Sequence, residues 1–462
     1  MKIIFPLIVL ISASVFAQSL TTGNEKIDAA FRLAVKTVDT NTRNGILAAG
    51  ADYGGEWTRD ISINSWNCAS LLRPEVAEKS LWSVTINKDT IGHQYWDKII
   101  WVIGALNHYK VTGNKEFLKQ SFICSANTIA QLENTAFDKS YGLFTGGSVF
   151  NDGIAGYPMP IYDSTINNSS VLAHPTQKIK CLSTNCVYYA AYLAIYEMAG
   201  ILKESGNDVY LKKAEELKFN ILKNFYNADE HKFSYVIDQY GKLHHYQEGL
   251  GNSFAILFGI IDENEAAKVI ENIHISDYGL ASIYPDFDYF TPDKPGRHNN
   301  IVWPFINGFW SLACKKAGRD DIFYNELKNL ASLAIDEDNG NGDFREIYNP
   351  YTGKPDGGWQ LGSHWESCHH QTWSATAYIA MVLKGIAGMN FEKDGIYFTP
   401  YVPEGLGSID VKDIHYRDAV LNIKISGSGS AIKEFKVNGT LAGSFTLPAD
   451  LSGTQNIEIV MQ

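Results

Sequence analysis

The strongest constraint on this chain is a repetition of shape without a repetition of words. From about residue 24 to 388, runs with apolar positions at helical spacing alternate with loops rich in Gly, Asn, Asp and Pro. The spacing predicts helices over 24–40, 59–72, 75–84, 94–112, 115–135, 183–204, 207–226, 248–260, 263–273, 300–317, 320–335 and 371–386. The runs are of two kinds. "CVYYAAYLAIYEMAGILKESG" is apolar nearly all round, as a helix buried on two sides must be, whereas "DVYLKKAEELKFNILKNFY" keeps a polar stripe. Alternating full and partial burial is what two concentric rings of helices produce, so the fold class is mainly α, an (α/α)6 toroid with loops gathered at one end into a central pocket.

Near Asn390 the period changes from helical to alternating. "GIYFTPYVPEGLGSIDVKDIHYRDAVLNIKISG" and "IKEFKVNGT" carry β-branched residues cut by Gly and Asn-Gly turns, and predict a small C-terminal β-sandwich over 390–462 after a helical domain over 18–389. Residues 1–17 read as a signal peptide: Met1-Lys2, an apolar run Ile3–Leu10, and small residues through Ala17. The expectation is therefore an exported protein, periplasmic or secreted. No later apolar run is long enough to span a bilayer.

A net charge of −12 opposes binding to a phosphate backbone, so nucleic acid is not an expected partner. The 13% of aromatic residues suits a protein that offers flat amphipathic faces to sugar rings, although aromatics also fill large helical cores. Six scattered cysteines make no disulfide framework. Cys181 and Cys186 are close enough in sequence to pair in an oxidising compartment, but Cys186 falls on a helix face, where a buried thiol is ordinary.

Four loops concentrate polar and aromatic residues beyond what loops need. In "ADYGGEWTRDISINSW", Trp57, Arg59 and Asp60 open a helix; Asp60 alone is a favourable first-turn charge, but with Arg59 and Trp57 it makes a clamp for sugar hydroxyls. "TGGSVFNDGIAGYP" sets Asp152 between Asn151 and Gly153, a composition that by itself reads as a turn. In "GRHNNIVWPFINGFWSLA", Arg297, His298, Asn299 and Asn300 precede a helix carrying Trp303 and Trp310, and a helix cap needs only one of those four. The fourth, "GDFREIYNPYTGKPDGGWQLGSHWESCHHQTWSATAYIAM", holds Glu346, Glu366, Gln371 and Trp373. Its His364, Cys368, His369 and His370 lack a second ligand cluster, and adjacent histidines rarely share one ion, so no metal site is expected. "DEDNGNGD", Asp336 to Asp343, misses calcium-loop spacing and reads as a solvated helix end. Nucleophile elbows, phosphate loops and dinucleotide fingerprints are lacking. Carboxylates on separate loops are the equipment for glycosidic cleavage, in which one protonates the leaving oxygen and the other activates water.

At these residues the chain resembles the six-hairpin glycoside hydrolases, in particular the glycogen-debranching, processing α-glucosidase and mannosylglycerate-hydrolase-like group. "EWTRDISI" resembles the early motif whose aspartate, here Asp60, holds the non-reducing sugar. "GGSVFNDGIAGYP" is similar to the loop bearing the general-acid aspartate, here Asp152. "REIYNPYTGKPDGG" with "QTWSATAYIAM" resembles the late signatures, in which the glutamate, here Glu346, is the general base. "HNNIVWPFINGFW" resembles the helix lining the same pocket. Glu366, close to the late motif, stands as the competing base. The resemblance implies an exo-acting, inverting hydrolase of a terminal, α-glucosidic sugar on an oligo- or polysaccharide. Hydroxyls would be bound by Arg59 and Asp60, against Trp57 and Trp303 as apolar walls, without metal or organic cofactor. A polysaccharide lyase or unsaturated-glycuronyl hydrolase uses the same toroid, but lyases commonly need a basic groove that a chain of this charge does not advertise. A glycan-binding protein that lost its chemistry is the non-enzymatic alternative.

Overall fold

The structure, a computed structural model, describes residues 18–92, 96–151, 156–162, 178–336, 342–360 and 362–462. Among these, twelve helices alternate along the chain: α1 (Glu25–Thr40), α2 (58–72), α3 (Pro74–Ser83), α4 (Trp101–Thr112), α5 (Lys115–Thr135), α6 (Leu182–Leu202), α7 (Asp208–Phe225), α8 (Gly249–Leu257), α9 (Glu263–Glu271), α10 (Pro304–Lys316), α11 (Asp320–Ile335) and α12 (372–386). Each even-numbered helix packs on the next even one, and α12 returns to α2, so six inner helices close a ring inside the odd-numbered six.

Burial separates the two rings as the sequence pattern predicts. Inner α6 buries residues on every side, from Leu182 to Ala199, while outer α7 buries only Ala214, Leu217, Ile221 and Phe225 along one stripe. Two predicted helix starts move by more than one residue. The helix expected over 300–317 begins at Pro304, because the proline ring disfavours helical geometry in the residue before it; Trp303 is extended at φ −109°, ψ 107°. Val302 instead exchanges backbone hydrogen bonds of 2.9 Å with Tyr348. The helix expected over 94–112 starts as a 3-10 turn, Trp96–Ile100, and residues 94 and 95 lie outside the described set.

After α12 the chain builds two sheets. A three-stranded sheet joins Met389–Glu392, Gly395–Phe398 and Thr446–Pro448, and a six-stranded sheet runs in the order Ser19–Thr21, Ile409–Tyr416, Asp418–Ser426, Ser452–Met461, Ile432–Val437, Thr440–Leu441. They pack face to face, with Phe398 and Phe435 ring centroids 5.4 Å apart. Two features lie outside the sequence expectation. Ser19–Thr21 crosses from the helical part to pair antiparallel with Ile409–Tyr416, and the pair Asp418–Ser426 with Ser452–Met461 is parallel.

All six cysteines, Cys181 and Cys186 included, are free and buried, which is the ordinary state of a small apolar side chain in a core. Among the described residues no helix is long and apolar enough to cross a membrane.

Inner helices cross closely because small residues sit at the contacts. A Cβ added to Gly308 of α10 would stand 2.7 Å from Ala377 Cβ and 3.3 Å from its Cα on α12. Ala for Gly in a helix ordinarily gains about 1 kcal/mol, but overpacking costs about 1–3 kcal/mol, and here the clash wins. Gly308→Ala should therefore lower the urea midpoint. Gly200→Ala on α6, where the nearest atom is Asn207 Nδ2 at 3.9 Å, should raise it.

Candidate active site

The inner helices all start at the same end of the ring, and the loops that lead into them carry the residues of interest. A cavity of about 240 Å³ opens there, between the starts of α2, α10 and α12. Its polar wall is Arg59, Asp60, Arg297, Glu346, Gln360 and Gln371; its aromatic wall is Tyr53, Trp57, Trp303, Trp365 and Trp373.

Glu346 sits in an extended segment gripped from two sides. Its backbone N–H donates to the Cys368 carbonyl (3.0 Å), Ile347 N–H donates to Ser367 Oγ (2.9 Å), and Tyr348 pairs with Val302. The carboxyl is 5% exposed, and its Oε2 accepts from Arg297 (2.8 Å). Buried carboxylates need such a partner. Oε1 accepts no hydrogen bond from the described residues, and Glu346 is one of the residues lining the cavity. Arg297 is itself fixed: it donates to the Gly357 carbonyl (3.1 Å) and to Tyr53 Oη (3.4 Å), and its guanidinium lies 5.5 Å from the centre of the Trp303 ring. Gly358, at φ +67°, makes this approach feasible, since a Cβ there would meet Arg297 Cα at 2.6 Å.

Arg59 faces the cavity but also holds structure. It donates to Asp97 Oδ2 (3.2 Å) and to the Val149 carbonyl (2.9 Å), and its guanidinium lies 5.4 Å from the Trp373 ring centre. Asp60 Oδ2 is 4.0 Å from its Nε. The Gln371 amide, turned to satisfy both neighbours, accepts from the Trp373 indole (3.1 Å) and donates to the Ala49 carbonyl (3.2 Å), which fixes the ring in the wall.

Asp152 lies outside the described residues, but the residues preceding it and following Ala155 do not. Gly147 takes no side chain because a Cβ would fall 2.2 Å from Tyr157 Oη and 2.6 Å from Trp96 Cζ2. Ser148 accepts from the Trp96 indole at its carbonyl (3.1 Å), Val149 N–H donates to Ser183 Oγ (3.1 Å), and Asn151 Nδ2 reaches the Gly156 carbonyl (3.2 Å). Ser183 N–H in turn donates to the buried Glu248 Oε2 (3.0 Å).

The other sequence candidates separate. His298 is buried behind the wall, stacked on Trp303 with centroids 5.1 Å apart, and is not among the cavity residues. Asn299 is fully buried and braces its own loop, accepting from Phe287 N–H (2.9 Å) and donating to the Pro285 carbonyl (3.4 Å). Glu366 is exposed and outside the lining, while its neighbour Trp365 is in it. The helix end expected at "DEDNGNGD" is only partly solvated: Asp336 pairs with Lys26 at the surface, but Asp343 is buried because Arg345, His369 and His370 surround it at 2.7–3.1 Å. Those two histidines thus serve a carboxylate. Residues 337–341 lie outside the described set. Tyr53, Gln360 and Trp365 line the cavity without having been singled out, although all three stand inside the quoted loops; Arg297, named with the polar run before α10 but given no role there, lines it too.

Residues 80–374 match the family described as mannosylglycerate hydrolase MGH1-like glycoside hydrolase domain. The chain is 23% identical over 327 residues to a mitochondrial neutral/alkaline invertase 1 from Oryza sativa subsp. japonica, covering 62% of this chain and half of that protein. Among solved structures it superposes on a sialidase with a TM-score of 0.71 at 15% identity, over 93% of this chain and 41% of the other. It also superposes on the GH63 mannosylglycerate hydrolase of Thermus thermophilus in complex with Tris, with a TM-score of 0.58 at 13% identity, over 76% and 99%. These likenesses, all below 25% identity, speak to the fold.

Glu248, tied through Ser183 to Val149 of the "TGGSVFN" segment, is pushed from the usual carboxylate range up to about 8 by burial. The folded state therefore holds a proton that the unfolded state releases near its ordinary value of 4.5. Stability from this group is full below that value and is lost as pH rises to about 8. Glu248→Gln should remove this decline, flattening the dependence of the urea midpoint on pH between about 5 and 8.

Proposed function

The chain belongs to the mannosylglycerate hydrolase MGH1-like glycoside hydrolase family; on that premise we propose that it is a glycosidase, exported, exo-acting and inverting, that removes a terminal sugar, with α-glucosides the first class to test. Asp152 donates a proton to the glycosidic oxygen as the bond to the anomeric carbon breaks. Glu346 takes a proton from the water that attacks the opposite face. Trp57, Trp303 and Trp373 cover ring faces, and Arg59 and Asp60 address hydroxyls.

The observation that carries this reading is the state of Glu346. A base needs a free oxygen, a fixed carboxyl and access to the pocket; Oε2 is committed to Arg297, Oε1 has no partner among the described residues, and the carboxyl lines the cavity. Glu366, exposed at the surface and outside the lining, lacks the last two. Cavity size supports exo-action, since about 240 Å³ lies below the roughly 300–1,000 Å³ typical of drug-sized ligands and suits one sugar ring. The apolar run Ile3–Leu10 and the small residues before Gln18 support export. The mass of the protein recovered outside the cytoplasm tests that point.

With an aryl α-glucoside or a natural oligosaccharide as substrate, Asp152→Asn and Glu346→Gln should each lower kcat by about 10²–10⁴-fold with KM little changed. Proton NMR of the first-formed product should show the anomer opposite to that of the substrate. Turnover by the double variant, or a retained anomer, overturns the assignment. Arg297→Met should also lower kcat, because Glu346 loses the group that holds it.

A further inference from the structure

At the other end of the ring, where inner helices finish, a second cavity of about 620 Å³ lies between α2, α10, α12 and the three-stranded sheet. It is more than twice the volume of the first. Trp66, Phe309 and Tyr397 contribute aromatic surface, and Lys315, Lys316 and Lys384 contribute charge.

Two independent observations set this place apart. The π-helical turns Ser65–Ala69 of α2 and Met381–Ile386 of α12 both open onto it, one supplying Trp66 and the other Lys384. Lys384 Nζ donates to the Trp66 carbonyl (2.6 Å), tying the two distortions together. Such turns disturb regular helix hydrogen bonding and are concentrated at functional sites. The second observation is electrostatic. Lys315 donates to the Thr399 carbonyl (2.6 Å) and Lys316 to the Leu257 carbonyl (2.8 Å), so all three ammonium groups meet neutral oxygens, and none forms an ion pair with a described carboxylate. Glu392, also in the lining, is held by Lys110 at 2.9 Å.

In a chain of net charge −12, the lining carries three cations against one carboxylate, Glu392, which is held by Lys110. Lysines in a last helical turn do complement the helix dipole, as Lys315 and Lys316 do on α10. Each of the three ammonium groups nevertheless makes only one hydrogen bond of the three it can donate among the described residues. Burial depresses the protonation of all three, Lys384 to about 8, and an anion in the cavity would relieve that strain.

We propose that this cavity is a second carbohydrate site, for an anionic oligosaccharide of about disaccharide size, with aromatic surface for ring faces and the lysines for carboxylates. It is separate from the hydrolytic pocket and goes beyond the catalytic reading.

Isothermal titration of the full-length protein with a glucuronate-containing disaccharide, its neutral counterpart and sodium sulfate tests it. The acidic disaccharide should bind at least tenfold more tightly than the neutral one, and more weakly as salt rises. The affinity should fall at least tenfold in Lys384→Met and in the more exposed Lys315→Ala/Lys316→Ala pair, and should survive in Glu346→Gln. Equal binding of the neutral sugar, affinity unchanged in the lysine variants, or loss of binding in Glu346→Gln overturns the proposal. Sulfate binding as tight as that of the disaccharide overturns the saccharide assignment. Because the readout is binding, failure of the catalytic assignment leaves this result interpretable.

Discussion

Everything in this molecule hangs on closure of the inner ring, where α12 meets α2. That contact joins residues from opposite ends of the helical region: Thr376 Oγ1 donates to Asn64 Oδ1 (2.7 Å), and Lys384 reaches the Trp66 carbonyl. Without it the helix starts would not face one another, and Glu346, Arg59 and Trp373 would belong to separate loops. Small residues at the crossings allow the closure. The hydrogen bonds of Thr372 to Ala48 and Ala49 then fasten the last loop onto the first at the pocket rim.

The pocket relies on cations used as scaffolding. Arg59 and Arg297 both lie against tryptophan rings, and both donate to backbone carbonyls of neighbouring loops as well as to carboxylates. A guanidinium can serve several acceptors in one plane, which an ammonium cannot do. Each arginine therefore sets the distance between a loop and the cavity wall.

The ring architecture was legible because a helix buried all round and a helix buried on one stripe differ in composition, as α6 and α7 do. The locations of Trp57, Arg59, Asp60, Trp303, Glu346, Gln371 and Trp373 in one cavity were also legible, because polar and aromatic residues clustered in loops that had no structural need of them. His298 and Asn299 came from the same signal and lie behind the wall. A residue that lines a pocket and one that braces its lining share a composition, and only packing distinguishes them. The role of Arg297 and the place of Trp365 were hidden for the converse reason: both depend on contacts at Gly357 and Gly358, where Gly358 lets two backbones touch between segments about sixty residues apart. The strand Ser19–Thr21 was invisible because three residues carry no readable period.

That short strand has a consequence for how the molecule is made. Its partner, Ile409–Tyr416, lies beyond all twelve helices, so a segment synthesised before the first helix waits for one synthesised after the last. Until then α1, whose N-terminal turn follows the strand directly, has only part of its anchoring. The β-layer is thus a latch that closes only after the last helix has been made, tying the segment before α1 to the far end of the chain.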